Sequence, residues 1–145
     1  MANQLALYVT MYSPLQMAAD FPEHYEKHMD AFEFIKNVEV DWSRSEYLLA
    51  EPGDYVVTAR KGKKTGKWFI GGVTDENSRT LDVPLYFLDK GRTYIANVYA
   101  DDTDTDYQTN PKAYNHYCQI VTSEDVLTVN LARGGGFAVE LIVKE

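Results

Sequence analysis

Four carboxylates fall within six residues, Asp101, Asp102, Asp104 and Asp106, in the stretch ADDTDTDY. Clustered carboxylates can recruit calcium, which takes six to eight oxygen ligands. An EF-hand register fails, however. Counted from Asp102, position six is Tyr107 instead of glycine and position twelve is Ala113 instead of glutamate, so the sharp turn and the bidentate ligand are both missing. The spacing leaves a looser calcium geometry open. The simpler expectation is a solvated loop whose like charges stay apart in water.

Three further stretches raise chemical questions. His24 and His28 share one helix face at zinc-ligand spacing, but Glu26 does not complete H-E-x-x-H, and no third ligand lies nearby. Solvated or capping histidines are expected. His116 lies in a strand without a visible partner. The run RGGGF, Arg133 to Phe137, lacks the G-K-[ST] of a phosphate loop and leads into the strand-like FAVELIV. It reads as a turn or bulge, where glycine permits positive φ and close backbone approach. Eleven Tyr, six Phe and two Trp supply enough rings for a sugar-stacking platform. Trp68, Tyr86, Tyr107 and Tyr114 are the candidates, with ordinary packing as the competing account.

The elements that must carry these groups divide near Asp41-Trp42. Before that point the pattern is helical. NQLALYVTMY is apolar almost all round, as in a helix buried on most sides. In SPLQMAAD, Ser13 with Gln16 can form a capping box with Pro14 at the first helical position; a short buried strand competes with this helix. Asp20 with Glu23 reads as a second capping box, with Pro22 in the first turn. An amphipathic helix then spans roughly Pro22 to Lys36, with Tyr25, Met29, Phe32 and Ile35 as its apolar face.

After Trp42 the period becomes that of strands. SEYLLAE, DYVVTAR, KWFIGGVT, RTLDVPLYFL, RTYIANVYA, AYNHYCQIVT, VLTVNLA and FAVELIV are separated by Pro, Gly and Asp turns. DYVVTAR and KWFIGGVT form a hairpin around KGKKTG. Seven or eight short strands in about 100 residues predict an antiparallel β-sandwich. Residues 1–41 carry more apolar face than one small sandwich ordinarily covers, which calls for another copy or a larger domain.

Composition narrows the partners. The 145 residues make one ordinary globular domain, apolar at 45% and charged at 25%. A net charge of -8 argues against nucleic acid and anionic membranes, which require a basic face. Cys118 is the only cysteine, so no intrachain disulfide forms. The first residues have neither a basic region nor a small-residue cleavage site, so no signal peptide is read there. No apolar run is long enough to span a bilayer.

Several of these segments, in this order, resemble the C-terminal end of glycoside hydrolase family 97. They are QLALYVTMYSPLQMAADFPEHYE, AFEFIKNVEVDW, EPGDYVVTARKG, KWFIGGVTDENSRTLDVPLYFL, YIANVYADDTDTDYQTNPKAY and LARGGGFAVEL. The resemblance implies a piece of a large secreted or periplasmic α-glycosidase acting chiefly on α-glucosides and α-galactosides. Residues 1–41 would match the last elements of its (β/α)8 barrel, and residues 42–145 its C-terminal β-sandwich, often described as an oligomerisation domain. That family's catalytic carboxylates and calcium ligands lie upstream of the matching region. The resemblance therefore assigns no catalytic, cofactor-binding or metal residue here. It also places Asp20 at the barrel rim, just after the last barrel strand, where a capping role suffices to explain it. The expected partners are the remainder of a catalytic barrel or another copy of the chain, with α-linked glucans as a further candidate. The implied role is that of an α-glucosidase-like segment, structural and inactive alone. The alternatives are a carbohydrate-binding module and a self-standing homo-oligomeric interaction protein.

Overall fold

The computed structural model describes residues 1–18 and 20–145. Eight strands form two antiparallel sheets. These are β1 (Trp42–Glu51), β2 (Tyr55–Gly62), β3 (Trp68–Thr74), β4 (Arg79–Pro84), β5 (Tyr94–Ala100), β6 (Asn115–Val121), β7 (Val126–Leu131) and β8 (Gly136–Val143). Six of them make one sheet in the order β1-β2-β3-β8-β5-β6, and β4 pairs with β7 in a second sheet. The expected mainly β sandwich is present, but it is uneven.

Alternation explains the small sheet. In β7, Leu127, Val129 and Leu131 point inward while Val126, Thr128 and Asn130 face out. Leu81 and Val83 do the same from β4. Cross-strand hydrogen bonds finish the outer face, from Thr80 to Asn130 at 2.7 Å and from Thr128 to Asp82 at 2.6 Å. The strand expected to run on to Leu88 stops at Pro84. The following turn instead drops Leu85, Phe87 and Leu88 into the core. That core lies between the sheets and includes Trp68, Ile70, Tyr94, Phe137 and Val139.

The other face of the large sheet carries a layer of helices. These are α1 (Ala2–Thr10), α2 (Pro22–Tyr25) and α3 (Met29–Asn37), with a single 3-10 turn at Glu26–His28 between the last two. Leu5, Val9, Ala31 and Phe34 meet Phe69, Tyr99 and Ala138 in a second core. Phe34 stands edge-on to Phe69 at 6.1 Å and to Tyr99 at 5.4 Å, a favourable aromatic arrangement. The sheet itself therefore covers Ala2, Leu5, Ala6 and Val9 of α1. The expectation that α1 needs an outside partner is corrected on this point.

Close approach of α1 depends on glycine. A Cβ on Gly71 would lie 2.6 Å from the Ala6 carbonyl oxygen and 2.8 Å from the Val9 Cβ. One on Gly136 would lie 3.0 Å from the Asn3 Cα. The helix is also tied at both ends. Asn3 Nδ2 donates to the carbonyls of Gly134 and Gly135 at 3.1 and 3.0 Å. Buried Arg60 donates to the Val9 carbonyl at 2.7 Å and to the Ser45 hydroxyl at 2.6 Å. A guanidinium there satisfies a terminal carbonyl and complements the negative end of the helix dipole.

Other helical expectations need correction. No helix or strand forms over residues 13–18. Ser13 Oγ accepts from Leu15 N–H in a local turn, and Gln16 Nε2 donates to the Met11 carbonyl. Local side-chain bonding of this kind competes with helix formation. Ala19, at the end of that stretch, lies outside the described residues. The single helix from Pro22 to Lys36 is broken at His28, where φ is -138° and ψ is 59°. The break rotates the buried stripe onto Ala31 and Phe34, leaving Met29 exposed. Among the described residues no helix is long and apolar enough to cross a membrane.

Replacing Gly71 by alanine is expected to lower stability by about 1–3 kcal/mol through overpacking under α1, measured by urea unfolding. An unchanged midpoint would contradict the close helix-to-sheet contact.

Candidate functional site

The acidic stretch and the glycine run, flagged separately in the sequence, meet in space. Asp101 is buried, and its Oδ2 accepts from Ala132 N–H at 3.0 Å and Gly136 N–H at 2.7 Å. Burial pushes its carboxyl pKa up, and the two N–H donors oppose that shift. Asp106 Oδ2 pairs with Arg133 at 2.8 Å, and its Oδ1 accepts from the Gln108 and Thr109 N–H groups. The guanidinium and then these amides hold Asp106 at a pKa of about 2. Asp102 accepts from Thr103 N–H and from Asn115. Gly134, at φ 62°, lets the opposite turn pass beneath Tyr107.

The loop is thus a clasp. Its carboxylates are aimed at different backbone amides and at Arg133. The expectation of a merely solvated loop is corrected at Asp101 and Asp106. Among the described residues, no group of three or more His, Cys, Asp or Glu side chains is arranged to hold a metal ion.

Each histidine has side-chain neighbours. His24 Nδ1 lies 2.5 Å from Asp20 Oδ1, which also accepts from Phe21 N–H. Asp20 therefore serves His24, and the N-cap position falls to Phe21, so the second expected capping box does not form. His28 sits beside the Tyr114 ring at 6.0 Å. His116 stacks on Tyr99 at 4.3 Å and approaches Asp30 at 3.5 Å. Asp30 also accepts from the Tyr114 hydroxyl at 2.6 Å. This joins α3 to β6 through residues far apart in sequence, a pairing no local pattern could reveal.

The four candidate sugar-stacking rings do not assemble. Trp68 is buried between the sheets against Phe87, with its indole N–H lacking a hydrogen-bond partner. Tyr114 is held by Asp30. Tyr107 packs at Gly134 and faces Arg133 at 5.3 Å, and Tyr86 is exposed beside Phe87. No two of the four stack on each other among the described residues.

Exposed apolar side chains are concentrated elsewhere. Met11, Tyr12, Leu15, Met17, Phe21 and Met29 are 51–76% exposed. Of these six, Met17 lines a groove of about 410 Å³ between α1 and the α2–α3 segment, beside Leu5, Tyr8 and Phe32 and the charged Lys27 and Lys112. Surface leucines occur singly in any protein, whereas a local concentration of large apolar groups marks an interaction surface. The sequence signalled this as an excess of apolar face within residues 1–41; the structure places it on residues 11–29 and not on the buried face of α1.

A helix-covered β-sandwich whose polar clusters are engaged in holding loops defines a structural or interaction module. A family model described as "Glycosyl-hydrolase 97 C-terminal, oligomerisation" matches residues 41–142, and the chain belongs to that family. It is 33% identical over 141 residues to a retaining alpha-galactosidase of Bacteroides thetaiotaomicron, covering 96% of this chain and 20% of that protein. It is 31% identical over 137 residues to a probable retaining alpha-galactosidase of Streptomyces bingchenggensis, covering 94% of this chain and 20% of that protein. Solved structures of a glycoside hydrolase family 97 enzyme from Pseudoalteromonas sp. strain K8, in complex with panose and with acarbose, superpose with a TM-score of 0.96. Their identity is 43%, over 99% of this chain and 22% of theirs. The chain spans about a fifth of the length of these relatives.

Two substitutions test the clasp. Asp101→Ala strands two buried N–H groups and is expected to cost about 2–4 kcal/mol, whereas Asp101→Asn keeps an acceptor and costs less. Asp106 has a lowered folded-state pKa, so its contribution is complete above its ordinary value of 3.8 and is lost as pH falls through about 2. The stability gap between the wild type and Asp106→Asn should therefore close between those pH values in acid titrations of thermal unfolding. A gap that stayed constant would contradict the Arg133 pairing.

Proposed function

We propose that this chain is the C-terminal part of an α-glycosidase and that its direct role is to brace the catalytic barrel and join subunits. The observation that carries this reading is the placement of its exposed apolar side chains. Two cores are closed by the chain's own elements, yet Met11, Tyr12, Leu15, Met17, Phe21 and Met29 remain exposed within residues 11–29, and Met17 lines a groove there. The family description as an oligomerisation domain supports it. We assign residues 1–41 to the edge of the barrel and residues 42–145 to the sandwich. The groove then faces the remaining barrel elements. The parent enzyme in this reading is secreted or periplasmic.

An α-glucoside is the substrate we propose for the parent. Support comes from the 43% identity to the enzyme solved with panose, an α-linked trisaccharide of glucose. The curated relatives named as retaining alpha-galactosidases make an α-galactoside the competing substrate. Glycoside hydrolysis needs two carboxylates at a defined separation across the scissile bond. The carboxylates described above are instead spent on amides, Arg133, His24 and Tyr114, so we assign none a catalytic role.

The pure chain is expected to release no nitrophenol from aryl α-glucosides or α-galactosides above the buffer rate, and calorimetric titration with maltooligosaccharides should show no saturable heat. Catalytic turnover would overturn the structural reading, and saturable binding would favour a carbohydrate-binding module instead.

A further inference from the structure

The six-stranded sheet has two edges, and they are finished differently. The β1 edge carries Arg44, Glu46 and Glu51, and its pairing with β2 has register shifts between Trp42 and Arg44 and between Tyr47 and Leu49. Charges and bulges are the usual devices that keep an edge from pairing with another chain. The β6 edge has neither. Its sequence NHYCQIV contains no Asp, Glu, Lys, Arg or Pro, and its register with β5 is unbroken from Tyr94–Val121 to Ala100–Asn115. Six of its seven residues are exposed. Among the described residues, no backbone other than that of β5 hydrogen-bonds to it. The small sheet does not shield it, because β7 lies inboard, against β8 and β5.

Charge selects the occupant. The chain carries a net charge of -8, so two copies repel wherever acidic faces meet. An uncharged edge is where a second copy can approach without that cost, and a symmetric contact must use the same patch on both subunits.

We propose that a second copy of this chain pairs with β6 edge to edge, antiparallel about a two-fold axis, joining the two six-stranded sheets into one. This rests on the oligomerisation reading above and names its surface. A two-fold axis perpendicular to the sheet keeps side chains of matched residues on one face. Full overlap of the seven-residue strands then centres the pairing on Cys118. Tyr117 lies opposite Gln119 of the other copy, His116 opposite Ile120, and Cys118 opposite Cys118. Opposed residues in an antiparallel pair have Cα atoms about 4.5–5.5 Å apart. That falls within the separation of about 4.4–6.8 Å that a disulfide accepts.

Cys118 makes the register testable. The full chain is examined by light scattering over a concentration series, then treated with a mild thiol oxidant and resolved under denaturing, non-reducing conditions. The proposal expects a dimer before oxidation and a Cys118-linked dimer after it, abolished by Cys118→Ser without loss of the noncovalent dimer. Ile120→Lys places a lysine on each side of the junction and is expected to weaken dimerisation at least about tenfold, with an unchanged thermal midpoint at dilution. Tyr47→Lys, on the β1 edge, should leave dimerisation intact. A dimer that resists Ile120→Lys and forms no Cys118 link would overturn the edge pairing while leaving oligomerisation standing. A monomer at every concentration would overturn both.

Discussion

The contact on which the rest of the molecule depends is that of helix α1 with the bare backbone of the large sheet. Gly71 and Gly136 leave no side chain between Ala6, Val9 and Asn3 and the strands beneath them. A helix seated this low brings Leu5 and Val9 into the cluster built on Phe69 and Phe34. It also brings Asn3 within reach of the 132–136 turn, and Val9 within reach of Arg60. That turn in turn supplies the amides held by Asp101, so the acidic loop, the glycine run and the first helix form one connected system. Protein interiors are close-packed, and a contact this tight transmits any displacement to its neighbours.

Some of this was legible in the sequence. Strict alternation in VLTVNL, together with the punctuation by Pro, Gly and Asp, located the strands, because a half-buried strand must alternate. α1 was legible as an almost wholly apolar run, although the structure buries one face of it, Ala2, Leu5, Ala6 and Val9, and not most sides. The buried face of α3 was not. A 3-10 turn at Glu26–His28 changes the helical phase, and the contacts around it, Asp30 with Tyr114 and His116, are made across distant parts of the chain. Both capping boxes failed similarly: Ser13 and Asp20 found nearer partners in Leu15, and in Phe21 and His24. The acidic loop looked like a candidate ion site because sequence shows charge density and conceals direction. Its carboxylates diverge toward Ala132, Gly136 and Arg133, none of which lies near it in the chain.

The same packing decides where function can reside. With the central strands β3, β8 and β5 of the large sheet covered by the chain's own elements, two features bear on function. One is the groove beside α1 with the exposed apolar side chains of residues 11–29 near it in sequence, and the other is the uncharged edge strand β6. They differ in character, one a groove of mixed apolar and charged lining and the other a row of backbone groups. A module that must both brace a larger body and meet another subunit needs two such surfaces. A sugar-binding platform would need rings that converge, and here they are dispersed over separate elements.

The central claim is that the helical layer and the sandwich are one folding unit. Native-state hydrogen exchange measures this directly, because amides that open only with global unfolding share one free energy. The account predicts that the amides of Leu5 to Val9 in α1 exchange with the same opening free energy as those of β3 and β8, while Tyr12, Leu15 and Met17 exchange rapidly. Fast exchange throughout α1 alongside a protected sheet would contradict it, and would return the helix to the role of a loosely attached segment awaiting another domain.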